Sequence, residues 1–362
     1  DEEYPLYQKT YLPRKFKVAI AIPPNNDIDV FANDLGLIAI IENNKLKGFN
    51  IAVGGGMSST HGNVSTYPRV ASVIGFVDSE QKLLKAVYEV VTIQRDYGNR
   101  SDRKLARLKY TVDKVGLDWF KQELEKRCAF KIEEAKKVTF TSRTDYYGWL
   151  QNHEGKWYYT LFVENGRVTD ENGILLKTAL RECAKTGKLN FRFTANQNVI
   201  LADIDEKHKP AIDKILKDYG LIEHTENRTG LRKNAIACVA LPTCPLALAE
   251  GQRYLPTLIS KLEPLLKEYK LSNDAITIRM TGCPNGCARP GLAEIAFVGV
   301  SSGRYNLYLG GDAEGYRLNK LYQENLNEEE ILEALNPIIQ TYAEERKTKE
   351  SFGDFVIRKK LV

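Results

Sequence analysis

The stretch Ile276-Thr-Ile-Arg-Met-Thr-Gly-Cys-Pro-Asn-Gly-Cys-Ala-Arg-Pro-Gly-Leu-Ala-Glu-Ile-Ala-Phe-Val298 decides the fold. It reads as a β-strand, a Pro-Asn turn, a short helical or irregular piece and a second strand. The same succession stands near the start, as Val18-Ala-Ile-Ala-Ile-Pro-Pro-Asn25 and then Ala32-Asn-Asp-Leu-Gly-Leu-Ile-Ala-Ile40. Pro284 falls on Pro24, an offset of 260 residues. The match continues with Phe49-Asn-Ile-Ala-Val-Gly-Gly55 against Tyr305-Asn-Leu-Tyr-Leu-Gly-Gly311. A helix follows in each copy, with Leu83, Leu84, Val87, Val90 and Val91 on one face of the first. Ile331, Leu332, Leu335, Ile338 and Ile339 do the same in the second. Asn327 is placed to cap that second helix, ahead of Glu328, Glu329 and Glu330. Three matches in order point to a duplicated α/β unit.

Between the copies, residues 141–225 read differently. Trp157–Val163, an Asn165-Gly166 turn, an amphipathic stretch through Leu175–Ala184, two strand-like runs at 189–194 and 199–202 and a helix at 210–219 follow one another. The order strand, helix, strand, strand, helix suits a ferredoxin-like half-domain. The expected fold class is therefore α+β, a pseudo-two-fold repeat of α/β domains with a ferredoxin-like half-domain between them. Its divisions are 1–140, 141–225 and 226–362. Applying the 260-residue offset to residue 141 places an equivalent half-domain before Asp1, so a truncated first unit is expected. The C-terminal run from Gly353 to Val362 reads as a short strand with a basic end.

Only the second copy carries a cysteine array. Cys238 and Cys244 form a CX5C pair, Cys283 and Cys287 a CX3C pair, and 38 residues separate them. Four thiolates can satisfy a cubane iron–sulfur cluster, one per iron. A structural zinc with four cysteine ligands is the competing reading, although its usual knuckles are CX2C. Pro284 and Gly286 suit a tight turn whose free N–H groups could reach cluster sulfurs. Cys128 and Cys183 read as core thiols. Disulfides do not fit a long, cysteine-poor chain with no signal-peptide pattern.

Hydrophobic content of 43% and charged content of 27% describe a globular chain, and no apolar run reaches membrane-span length. A net charge of +5 is too modest to call for nucleic acid. The basic residues do cluster, at Arg14-Lys-Phe-Lys17 and between Arg95 and Lys109. Taken alone, such runs are solvated faces. Gly54-Gly55-Gly56 lacks the rest of a nucleotide-binding motif and reads as a tight turn at a strand end.

The two cysteine pairs, set in Thr-Cys-Pro-Leu-Ala-Leu-Ala-Glu and Thr-Gly-Cys-Pro-Asn-Gly-Cys-Ala, resemble the sirohaem-dependent nitrite and sulfite reductases. The resemblance runs along the whole chain through residues 11–17, 94–100, 194–198 and 303–307, and is closest to the NADPH-linked sulfite branch. It implies a [4Fe–4S] cluster on Cys238, Cys244, Cys283 and Cys287, with the Cys287 sulfur also the proximal ligand of a sirohaem iron. Asn285 would orient that turn. Lys15 and Lys17, two residues apart in an extended stretch, would hold the sulfite oxygens and pass protons. Arg14, on the other face, and Lys109 would pair sirohaem carboxylates.

The implied activity is the six-electron reduction of sulfite to sulfide, with nitrite reduction to ammonia as the rival. The implied partner is an NADPH-dependent flavoprotein in preference to ferredoxin, in a cytoplasmic setting; neither nucleic acid nor membrane is called for. The family pattern puts two further arginines of the anion site in the half-domain expected before Asp1. Full sulfite reduction by these 362 residues alone is therefore not expected.

Overall fold

The computed structural model describes residues 4–171 and 173–362. Its first sheet has strands β1 (Val18–Ala21), β2 (Leu35–Glu42), β3 (Lys45–Val53) and β4 (Ser72–Val77), hydrogen-bonded in that order. β1 and β2 are parallel, and the later pairs are antiparallel. Helices α1 (Glu80–Tyr97), α2 (Leu108–Val115) and α3 (Leu117–Cys128) pack on it. Leu83, Val90 and Ile93 turn inward from α1, whereas Leu84 is 62% exposed, outside the apolar stripe expected to hold it.

A second sheet, in the order β5-β6-β10-β9, is built from β5 (Gly148–Gln151), β6 (Trp157–Leu161), β9 (Asn190–Phe193) and β10 (Val199–Ile204). The short hairpin β7 (Asp170–Glu171) and β8 (Ile174–Leu175) leads into α4 (Leu176–Lys185). α5 (Lys209–Asp218) and α6 (Leu221–Glu226) complete this unit, around Leu161, Cys183, Leu201 and Leu216. β5 is one of the strands that the sequence pattern did not announce, a four-residue edge strand with no fully buried residue.

After α7 (Gly230–Lys233) comes the third sheet, β11 (Ala235–Ala237), β12 (Ile278–Thr281), β13 (Ile295–Ser301), β14 (Arg304–Leu309) and β15 (Lys320–Leu326). α8 (Leu255–Glu268) and α9 (Glu328–Glu345) pack on it, and Asn327 and Glu330 close a reciprocal capping box at the start of α9. The pairings β12-β13-β14-β15 repeat β1-β2-β3-β4 in order and direction. The likeness extends to single contacts. Asp34 accepts the Lys17 N–H at 2.9 Å, and Glu294, 260 residues later, accepts the Thr277 N–H at 2.8 Å. An added Cβ would stand 2.5 Å from the Asn33 carbonyl at Gly55 and 2.4 Å from the Ala293 carbonyl at Gly311. Glycine is needed at both for the same close approach. The fold is α+β, a duplicated unit around a half-domain.

The C-terminal segment is a helix, α10 (Phe352–Arg358), and not the expected strand. Ser351 caps it, and Phe352, Phe355 and Val356 enter the core at helical spacing. It docks within the fold, where the Gly353 N–H reaches Glu294 at 3.0 Å.

Candidate metal and cofactor site

The parallel strands β11 and β12 end side by side, and the cysteine segments leave from their carboxyl ends. Ligand sites form at such ends because the chain turns away there and leaves a crevice. Cys238 directly follows β11, and its N–H bonds to the Met280 carbonyl at 3.1 Å. Its sulfur accepts the Gly282 N–H at 3.2 Å. Gly282 is packed too tightly for a side chain, its Cβ position lying 2.6 Å from both the Ala240 Cβ and the Ala249 carbonyl oxygen. Cys238, Cys244, Cys283 and Cys287 line one cavity of about 260 Å³, together with Gln197, Asn285 and Arg289. Cys283 is buried, Cys238 and Cys244 are half-buried, and Cys287 is exposed. Desolvation raises the Cys283 and Cys287 thiols. The Asn285 N–H opposes this at Cys283, and the Lys15 and Lys17 ammonium groups oppose it at Cys287.

Four cysteines around one cavity fit a cubane, which takes one thiolate per iron. Tetrahedral zinc needs four sulfurs at about 2.3 Å, hence within about 4 Å of one another. Among the described residues no three Cys, His, Asp or Glu side chains converge closely enough to hold one metal ion. A cubane spreads its ligands around a volume, and these four line one cavity.

A second cavity, of about 450 Å³, adjoins the first across Cys287, Asn285 and Leu246. Arg14, Lys15, Arg103, Lys104 and Arg107 line it, and no carboxylate does so among the described lining residues. Arg107 is fixed by a buried two-point ion pair with Asp34, at 2.9 and 2.7 Å. The loop Ser58–Thr60 closes one side, and its Ser59 N–H bonds to the Pro284 carbonyl at 2.9 Å. So the first copy supplies the cations, the second the cysteines, and one cysteine faces both rooms.

The family model described as the nitrite and sulphite reductase 4Fe-4S domain matches residues 1–132 and 230–359. The nitrite/sulfite reductase ferredoxin-like half domain matches residues 150–219. This chain belongs to the nitrite and sulphite reductase family. A relative from Leptospira biflexa, named sulfite reductase [NADPH] hemoprotein beta-component, is 58% identical over 99% of this chain and 64% of its own length. One of the same name from Staphylococcus carnosus is 56% identical over 100% of this chain and 63% of its own. The chain thus spans less than two thirds of these curated relatives. The solved structure of the Mycobacterium tuberculosis NirA protein superposes with a TM-score of 0.80 at 26% identity, covering 96% of this chain and 63% of that one.

Several residues of this family member sit differently from their sequence reading. Arg14 lines the same cavity as Lys15, not an opposite side. Desolvation, then repulsion from Arg103 and Arg107, lowers its pKa. Lys15 and Lys17 are exposed, and Phe16 between them packs on the first core, so the alternation holds although β1 begins only at Val18. Desolvation lowers the Lys17 ammonium, and Lys15, Arg107 and Arg289 lower it further.

Lys109 departs most from expectation. It is fully buried, and its ammonium donates to the carbonyls of Gly56 at 3.2 Å, Ser58 at 2.7 Å and Tyr67. With all three donors on backbone it holds the cavity loop and has none left for a ligand carboxylate. Burial, then Arg107, brings its pKa down to about 7. Lys109→Met is expected to cost about 1–3 kcal/mol through unpaired buried carbonyls, read as a lower urea midpoint.

Gln197, Arg289 and the Asp34–Arg107 pair were not found from the sequence. The Gln197 amide exchanges two hydrogen bonds with Ala237, at 2.8 and 3.2 Å, and so braces the strand end before Cys238. The 194–198 stretch carried a family signal, yet nothing local in it shows this contact.

Proposed function

We propose that this chain is the core of the catalytic haemoprotein subunit of an assimilatory sulfite reductase. The observation carrying this reading is that Cys287 lies on the wall common to a four-cysteine cavity and a cavity whose charged lining residues, among those described, are all cationic. Cys238, Cys244, Cys283 and Cys287 would hold a [4Fe–4S] cluster, and Cys287 would also hold the iron of a sirohaem. Such a pair, when bound, supplies the electron path for the six-electron reduction of sulfite to sulfide.

The chain's own residues supply charge, position and protons. Arg14, Arg103, Lys104 and Arg107 offer guanidinium and ammonium groups to the macrocycle's carboxylates. Lys15 and Lys17 hold the anionic substrate and give up protons as S–O bonds break. Lys17, whose charge its surroundings disfavour, releases a proton more readily than a free lysine. Asn285, exposed within the cysteine turn, orients it. In this reading the electrons come from an NADPH-dependent flavoprotein, with ferredoxin less favoured; the relatives' names print NADPH and a beta-component. A reducing, cytoplasmic setting suits the free cysteines; no helix of the described residues is long and apolar enough to cross a membrane.

The test is sulfide production from sulfite with a reduced artificial donor, at the lowered rate expected of these residues alone, run beside nitrite. Faster turnover of sulfite supports the reading, and turnover of nitrite alone overturns it. The pH profile adds a check. Because the Lys17 pKa is lowered, its protonated form is lost as pH rises at a lower value than for an ordinary lysine. The alkaline limb should therefore fall early, and Lys17→Arg should move it upward while slowing turnover about 10²-fold or more, through loss of the proton donor.

A further inference from the structure

Asp29 and Arg289 occupy equivalent positions in the two copies, 260 residues apart. Each has left-handed backbone, φ 49° and 55°, and each precedes a single 3-10 turn, Val30–Ala32 and Pro290–Leu292. Their side chains touch, with Arg289 Nε 2.5 Å from Asp29 Oδ2. A residue that meets its own equivalent lies on the two-fold axis. Identical side chains there would face like to like; this chain sets opposite charges.

The surroundings are strongly cationic. Asp29 is 1% exposed and also has Arg279 at 2.7 Å and Arg143 at 3.5 Å. Burial works against its charge, yet the three arginines hold it well below the ordinary carboxylate range. Arg279 is itself buried, and its Nη1 donates to the Arg289 carbonyl at 3.1 Å. Arg289 is gripped at its other polar ends too. Its Nη2 donates to the Ala195 carbonyl at 2.9 Å, and its N–H to the Gly286 carbonyl at 2.9 Å, inside the cysteine turn. Two residues before it stands Cys287, and its side chain lines the cysteine cavity.

We propose that Asp29 and Arg289 form a positioning pair for the cysteine centre, through which the copy without the cysteine array fixes the Cys283–Cys287 turn of the copy that has it. Asp29 holds the Arg289 side chain, and Arg289 ties the turn to the first unit and, through Ala195, to the half-domain. The proposal rests on reading the four cysteines as cluster ligands.

The experiment reconstitutes the full chain anaerobically with iron and sulfide and titrates iron retention against a chelator. Parent, Arg289→Gln, Arg289→Lys and Asp29→Asn/Arg289→Gln are compared, with thermal unfolding of each apo chain. Arg289→Gln should hold iron about 10-fold less tightly, the low end of the cost of losing an outer-shell partner. Arg289→Lys keeps a charge beside Asp29 and so protects the fold, but loses the fork that reaches Ala195, and should weaken retention in the same direction. The double variant should lose no more than Arg289→Gln alone, since Asp29 acts through Arg289. Parent-like retention by Arg289→Gln and Arg289→Lys overturns the proposal, as does a further loss in the double variant. A parent chain that takes up no iron and sulfide overturns the cluster reading, and this proposal with it.

Discussion

Cys287→Ser is expected to empty both cavities at once, taking iron from about five atoms per chain to near zero, a cubane and one macrocycle iron being lost together. Cys238 and Cys283 border only the first cavity, whereas Cys287 borders both. A serine hydroxyl keeps its proton where a thiol gives it up, so the first cavity is left with three of its four cysteines and the second with none among the described lining residues. Cys238→Ser should instead remove the cluster ligand while leaving the thiolate that faces the cationic cavity. Cys183→Ser is the control. Cys183 is fully buried among Leu161, Leu201 and Leu216, its thiol pushed up to about 11 by burial. That substitution should lower stability and leave iron content unchanged. Iron and acid-labile sulfide counts on the three variants check all of this.

The second large effect falls on stability. Asp34 is fully buried and Arg107 is 5% exposed, so Asp34→Asn leaves a guanidinium without its counter-charge. Breaking a buried pair from one side costs about 3–5 kcal/mol. The same carboxylate accepts the Lys17 N–H, so the basic strand should loosen as well. Replacing both partners, as Asp34→Leu with Arg107→Met, should recover much of that loss, because no buried charge is then left alone. Urea midpoints of the parent, single and double variants measure it. A single variant as stable as the parent would show that the pair is dispensable.

What the sequence made legible is what repeats or alternates locally. The strand–turn–strand pattern at an offset of 260 gave two matching sheets, because apolar periodicity is written in consecutive residues. The cysteine spacing gave the first cavity. Asp29 with Arg289, Asp34 with Arg107 and Gln197 with Ala237 are 260, 73 and 40 residues apart, and no short window holds both members. Lys109 misled for a related reason: a basic run does not show which of its members the fold turns inward. Gly353–Arg358 misled because its Phe, Val and Ile suit a strand as well as a short buried helix, and burial at i, i+3 and i+4 decided between them.

In this reading the Cys287 thiolate is shared between a four-cysteine cluster and a macrocycle held by the first copy's cations. That sharing is tested most directly by counting iron, zinc and acid-labile sulfide in the chain isolated without oxygen and supplied with sirohaem, beside its visible spectrum. About five irons to four sulfides are expected, with absorption from both groups and no zinc. One zinc per chain, with neither sulfide nor visible absorption, would contradict this reading.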